Sequence, residues 1–315
     1  MLGYLSRAIP LEKLPEKDPE SQAFVDRVMD IRNFATQELG LKNTKNYTRY
    51  VELDRNFLAS VVSGSAKDSF KTYQWWFPIV GKVPYTGFFN EDGARKQAEK
   101  LKNNDQDTLI RRVDAFSTLG WFSDPLYSYM RDYPAAELAD LIIHESLHAT
   151  VYISGKSQFN EELAEFVGTE GSRLYIEKRF GPESEEYKTM INSRADSAVF
   201  ISFIQDIIRE LESLYTSDVP REEKLELKKN ILKSAQNRFD EQYETLFKSD
   251  KYRFFSKMSV NNAYLDLFRL YYDGQSFYQD LYTRSGSEIR KFIGAAQTIK
   301  NAKNPKEALE KALGI

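Results

Sequence analysis

The chain holds two histidines, and both fall in one pentapeptide, His144-Glu145-Ser146-Leu147-His148. On an α-helix, residues four apart share a face with Cβ atoms about 6 Å apart, so both imidazoles can reach one ion at about 2.0 to 2.1 Å. Zinc is the natural occupant of such a pair. Glu145 is rotated about 100° from His144 and need not ligate; it is placed to take a proton from a metal-activated water, as a general base. The alternative is a helix whose histidines merely satisfy local hydrogen bonds, yet the chain places histidine nowhere else.

Two imidazoles and a water leave a catalytic zinc one protein ligand short. With no cysteine and no third histidine, that ligand must be a carboxylate. The candidates lie in Gln158-Phe159-Asn160-Glu161-Glu162-Leu163-Ala164-Glu165-Phe166. Ser154-Gly155 reads as a break and Asn160 as the cap of a new helix. Glu161 and Glu165 then share a face, and Glu162 is turned away. Glu161 is expected to bind the ion and Glu165 to orient a ligand imidazole; the competing reading makes them ordinary first-turn acids favoured by the helix dipole.

These groups need a scaffold. At 315 residues, with 41% hydrophobic and 14% aromatic residues, the chain is long enough for a sizeable core and about two domains. The proline-rich opening to Glu20 reads as an extended arm. Phe24 to Leu39 has helical spacing and Gly40 is its stop. Tyr73 to Phe89 suggests short strands joined by turns, and Leu109 to Ser117 another strand. After Pro134 the pattern is helical: Pro134 to Ile143 leads into the histidine motif, Val199 to Tyr215 forms an apolar stripe, and a second long helix is expected from Pro220 to near Lys248. The mixed-sign tract Arg221 to Lys229 is expected to be a solvated face. The expected fold class is α+β and helix-rich, with a small N-terminal sheet and a C-terminal helical region. Its parts are a mixed lobe with substrate-edge strands over 1–133, zinc-binding helices over 134–183 and a helical lobe over 184–315, or one continuous catalytic domain.

The absence of cysteine excludes disulfides, thiol nucleophiles and every cysteine-containing metal site. A net charge of -3 offers no general field for nucleic acid. No stretch approaches the ~18 to 20 apolar residues of a membrane helix, and the start has no apolar signal core, so a soluble chain is expected.

His144-Glu145-x-x-His148 followed by Asn160-Glu161-x-x-Ala164 resembles the gluzincin arrangement of thermolysin-like and aminopeptidase-type zinc peptidases, in which the Glu of an Asn-Glu pair is the third ligand. The step of 13 residues from His148 to Glu161 is shorter here than in thermolysin, which demands a tight connecting loop. The chain is also similar to the bacterial family labelled zinc-dependent aminopeptidase. Its recurring segments are Phe77-Pro78-Ile79-Val80-Gly81-Lys82-Val83-Pro84-Tyr85-Thr86-Gly87-Phe88-Phe89 and Ala115-Phe116-Ser117-Thr118-Leu119-Gly120-Trp121-Phe122-Ser123-Asp124-Pro125-Leu126. The metal motif, Phe159-Asn160-Glu161, and Asn261-Asn262-Ala263 with Tyr271 or Tyr272 after it complete the series. The resemblance implies a zincin-like catalytic core, one zinc ion and cleavage of peptide substrates. Family members often begin as envelope lipoproteins, which implies a bacterial cell-envelope location; no cysteine precedes Leu2-Gly3 here.

With both histidines committed to the metal, the oxyanion partner should be Tyr, Arg or Asn, and Tyr271 and Tyr272 are the family-matched candidates. Peptides commonly add as a strand to a sheet edge, so Val113 to Thr118 with Gly120 and Trp121 is a candidate substrate edge, or else an internal strand with Trp121 in the core. Tyr85 lines the cleft or forms a turn. Glu162, Asp114 and Asp124 are candidates to bind a substrate's α-amine. From a different class, the chain could be a non-catalytic envelope or scaffold protein keeping a structural zinc, but such a site has no use for Glu145.

Overall fold

Prolines open the first turns of the chain rather than holding it extended. The computed structural model describes residues 7–77, 81–113, 124–269 and 275–315. After β1 (Ile9–Pro10), a 3-10 turn and the single-turn helix α1 (Leu14–Lys17) follow, with Pro15 in the first turn. Proline there loses no helical hydrogen bond and its φ is already helical. Leu11 and Leu14 are buried and anchor the segment, which is why it is not a free arm.

In chain order come α2 (Gln22–Gln37), β2 (Arg49–Val51), β3 (Ala59–Ala66), β4 (Trp75–Phe77), β5 (Gly81–Val83), β6 (Tyr85–Phe88), α3 (Glu91–Asn103), β7 (Gln106–Val113) and β8 (Leu126–Tyr127). Helices dominate thereafter: α4 (Ala135–Thr150), α5 (Ser157–Phe180), α6 (Glu185–Thr216), α7 (Arg221–Leu246), α8 (Asn262–Arg269), α9 (Gln275–Arg284), α10 (Ile289–Thr298) and α11 (Pro305–Leu313). The fold is α+β and helix-rich, with small sheets. Among the described residues, no helix is long and apolar enough to cross a membrane.

The chain divides into two units that interleave along the sequence. The first comprises Met1–Asn56, Phe116–Met190 and Asp273–Ile315. Its sheet has the order β1-β2-β8, with β2 antiparallel to β1 and parallel to β8. Pro134 sits at the N-cap of α4, where its lack of an N–H breaks no helical hydrogen bond, and Glu137 lies in the first turn, where a negative charge suits the positive end of a helix. Leu138, Ala139, Ile142, Ile143 and Leu147 are all buried, so α4 is covered on most of its circumference. Such burial requires the polar groups to be paired: Ser146 Oγ donates to the Ile142 carbonyl at 2.6 Å and Thr150 Oγ1 to that of Ser146 at 2.7 Å. On α5, Phe166 packs against Tyr278, Tyr282 and Phe292 at centroid distances of 6.1, 5.6 and 5.3 Å, tying α9 and α10 to that helix.

The second unit comprises Phe57–Ala115 and Ile191–Tyr272. In its sheet, β3 lies between β6 and β7, antiparallel to both. Val62 packs on Ala94, Ala98 and Leu101 of α3. Phe200, Ile204, Ile207, Ile208 and Leu211 of α6 form one core with Leu232, Ala235, Phe239 and Tyr243 of α7, as the apolar stripes predict. The charged tract of α7 departs from its expected solvated face at Lys228. Its ammonium is buried, donating to the Asp107 carboxylate and to the Lys67 carbonyl at 2.9 Å; a flexible stem lets a lysine carry its charge to an acid hidden beside the helix.

Candidate metal centre

α4 and α5 approach each other through glycine. A Cβ on Gly171 would meet Leu39 Cδ1 at 2.9 Å and Ile143 Cγ2 at 3.0 Å, so a larger residue there would force the side chains between the helices to shift. The connection between them turns at Gly155, whose φ is +73°, a conformation glycine adopts without strain. α5 begins at Ser157, four residues earlier than a cap at Asn160 would allow. Asn160 instead lies in the first turn and reaches backwards: its Oδ1 accepts from the Ile153 N–H at 3.0 Å and its Nδ2 donates to the Ile153 carbonyl at 2.9 Å. The side chain thus closes the tight loop that the short step from His148 to Glu161 requires.

That closure brings three of the expected residues together. His144 Nε2 and His148 Nε2 are 3.2 Å apart, Glu161 Oε2 is 3.7 Å from the first and Glu161 Oε1 3.5 Å from the second. Two nitrogens bound at about 2.05 Å to one tetrahedral ion stand about 3.3 Å apart, so the imidazole pair already has the spacing of adjacent ligands. Two ring nitrogens and a carboxylate oxygen facing one point are also the donor set of a divalent cation. The three residues could therefore hold a metal ion.

The electrostatics agree with a cationic centre. Hydrogen bonding by His144 and then His148 holds the Glu161 carboxylate down at about 2. Burial pulls the His144 imidazolium down, but its bond to Glu161 and the charges of Glu145, Glu161 and Asp140 outweigh this and leave its pKa raised. Glu145 is buried directly after His144 on α4. Glu165 is half-buried one turn after Glu161 and is not among the converging three.

Tyr47 is a neighbour with no signal in the sequence. It is 2 % exposed and has a φ of +59°, which costs a tyrosine on the order of 1–2 kcal/mol. The backbone there is held by Tyr47 N–H donating to the Asp124 carbonyl at 2.7 Å and by Arg32, which donates to the carbonyls of Asn46 and Thr44. Burial first, then the charges of Glu145 and Asp124, push its hydroxyl well above the usual tyrosine range. A neutral phenol therefore stands in the field of the expected base.

Glu162 is already engaged: Lys306 Nζ lies 2.9 Å away, Gln158 Nε2 donates to it at 2.9 Å and the Tyr278 hydroxyl at 3.4 Å. A carboxylate neutralised by its own lysine is poorly suited to a substrate amine. Tyr85 is exposed on β6, opposite Ser63 of β3. Tyr271, Tyr272, Gly120, Trp121 and Asp114 lie outside the described residues. In the second unit, the segment Asn261-Asn262 serves the fold: buried Asn262 donates to the carbonyls of Ala66 at 2.8 Å and Ser69 at 3.1 Å and accepts from the Tyr215 hydroxyl at 2.8 Å, and Asn261 donates to the Thr108 carbonyl at 3.0 Å.

A family model described as "Putative aminopeptidase" matches residues 1–313, almost the entire chain. The chain belongs to this aminopeptidase family. No curated protein and no solved structure matches it. The match to this family includes both helices that bring His144, His148 and Glu161 together and the hydrogen-bonded Asn261-Asn262 segment.

Proposed function

We propose that the protein is a zinc-dependent peptidase, acting as an aminopeptidase, with His144, His148 and Glu161 as zinc ligands and Glu145 as general base. The convergence of two imidazoles and one carboxylate beside a buried glutamate carries this reading. Three protein ligands with a carboxylate alongside is the pattern of catalytic zinc, whereas structural sites close with four ligands. Zinc held there supplies Lewis-acid polarisation of a carbonyl and makes water acidic near neutral pH.

The chain's own residues do the rest. Glu145 accepts the proton of the attacking water on a carboxylate oxygen and delivers it to the departing amine. Burial shields that carboxylate from bulk water and strengthens its interactions. Glu161, fixed in its ionised form, keeps a negative charge facing the imidazole nitrogens. The resemblance supports Tyr271 or Tyr272 as oxyanion donor, and Tyr85, Gly120 and Trp121 as substrate contacts. Of the acids considered for the α-amine, Asp124 remains attractive because its backbone is clamped to Tyr47, in the field of Glu145.

The test is a pair of variants. His144→Ala is expected to lose zinc, read by metal analysis of purified protein. Glu145→Gln is expected to keep zinc and lose turnover on a mixed peptide library by about 10²-fold or more. Equal cleavage by wild type and Glu145→Gln would sink the assignment, and internal cuts in place of trimming from the amino end would restrict it to an endopeptidase.

A further inference from the structure

α4 carries another carboxylate on the face of His144: Asp140, one turn earlier. Residues four apart on a helix are neighbours, and α5 shows where this carboxylate points. A Cβ on Gly168 would lie 2.3 Å from Asp140 Oδ1, 3.2 Å from the Asp140 carbonyl oxygen and 3.2 Å from His144 Cβ. The carboxylate therefore occupies the space a side chain at 168 would fill. Being tied to one common point, Asp140 Oδ1 and His144 Cβ are no more than about 5.5 Å apart. That is within reach of an imidazole nitrogen two bonds from Cβ. His144 Nε2 faces His148 and Glu161, which leaves Nδ1 for Asp140. His148 has no such arrangement: its Nδ1 is buried without a hydrogen-bond partner among the described residues.

We infer that Asp140 is the positioning carboxylate of His144, accepting a hydrogen bond from Nδ1 and so presenting Nε2 to the metal, in a slot that Gly168 keeps open. This rests on the zinc reading above. It assigns to a residue of α4 the orienting role that sequence spacing gives to Glu165. Fixing the tautomer and ring plane of a ligand histidine raises its basicity, and loss of such a partner typically costs 10- to 100-fold in metal affinity.

With two histidines in the chain, zinc-loaded protein gives only two imidazole Nδ1–H resonances. In wild type, the one assigned to His144 is expected downfield and slow to exchange with water. Asp140→Asn, which preserves shape, is expected to move that resonance while leaving His148's in place, and to weaken zinc binding about 10- to 100-fold. Gly168→Ala, which displaces the carboxylate, is expected to do the same. A His144 Nδ1–H that exchanges freely in wild type would overturn the inference without any variant. So would an Asp140→Asn protein with both resonances and zinc affinity unchanged, and in either case zinc binding and cleavage by wild type would leave the functional reading standing. Failure of wild type to take up zinc would instead overturn that reading, and this inference with it.

Discussion

Asn160→Ala removes two hydrogen bonds from the backbone of one residue. Asn160 is 2 % exposed and Ile153 3 %, so truncation strands a buried N–H and a buried carbonyl. Each costs about 1–3 kcal/mol when left without a partner, and the variant is expected to lose about 2–6 kcal/mol in all. For a unit of this size, about 2–4 °C per kcal/mol makes that a fall of about 4–24 °C in Tm. Asn160→Asp is the sharper probe. It keeps an acceptor for the Ile153 N–H but sets a carboxylate oxygen against the Ile153 carbonyl, so it is expected to be no more stable than the alanine variant. Because Asn160 directly precedes Glu161, both variants should also bind zinc more weakly. Thermal melts of metal-free and zinc-loaded protein, with a zinc titration, read both effects. If Asn160→Asp melts with wild type, the bonds to Ile153 do not hold the loop and the account of how Glu161 reaches the histidines is wrong.

Lys228→Met breaks a buried pair with Asp107 and is expected to cost about 3–5 kcal/mol in chemical denaturation; a change below about 1 kcal/mol would mean the pair behaves as an exposed one. Lys306→Ala removes the ammonium paired with the buried Glu162 carboxylate and is expected to lower stability by about 1–3 kcal/mol, read as a Tm shift that zinc removal does not alter. Burial first, with Asp124 beside Tyr127 and Glu170 beside Tyr282, pushes both hydroxyls up to about 12. A pKa raised above the unfolded value of about 10 stabilises fully below that pH and is lost as pH rises through 12. Tm should therefore hold up to about pH 10 and then fall, tracking tyrosinate absorbance; two tyrosines titrating at the ordinary value with a flat Tm would contradict the burial.

What could be read from the sequence was local. The spacing of His144 and His148 on one helix face depends on four residues, and the need for an acid at Glu161 follows from the lack of any other ligand type. The apolar stripes of α6 and α7 are equally local and appear as buried faces. What could not be read depends on partners far along the chain. Lys228 looks like any surface lysine until Asp107, 121 positions away, is placed beside it. Asn160 has the composition of a cap, and only the position of the Ile153 backbone shows that it is a loop clasp. Tyr47 carries no mark of its left-handed backbone, since that conformation is imposed by Arg32 and Asp124. Gly168 reads as a weakness in a helix until Asp140 is seen occupying its missing side chain.

The chain path of the first unit has a consequence for synthesis. The helices bearing His144, His148 and Glu161 are made in the middle of the chain, but α9 and α10, whose Tyr278, Tyr282 and Phe292 pack on Phe166, follow the last residues of the second unit. On the ribosome, α5 is left with an uncovered aromatic face until α9 and α10 emerge, whereas the second unit has all its residues earlier. Domains fold as their residues become available during synthesis. The order of assembly is therefore the reverse of a simple N-to-C reading: the second unit can close first, and the unit bearing His144 and His148 closes only once α9 and α10 have been made.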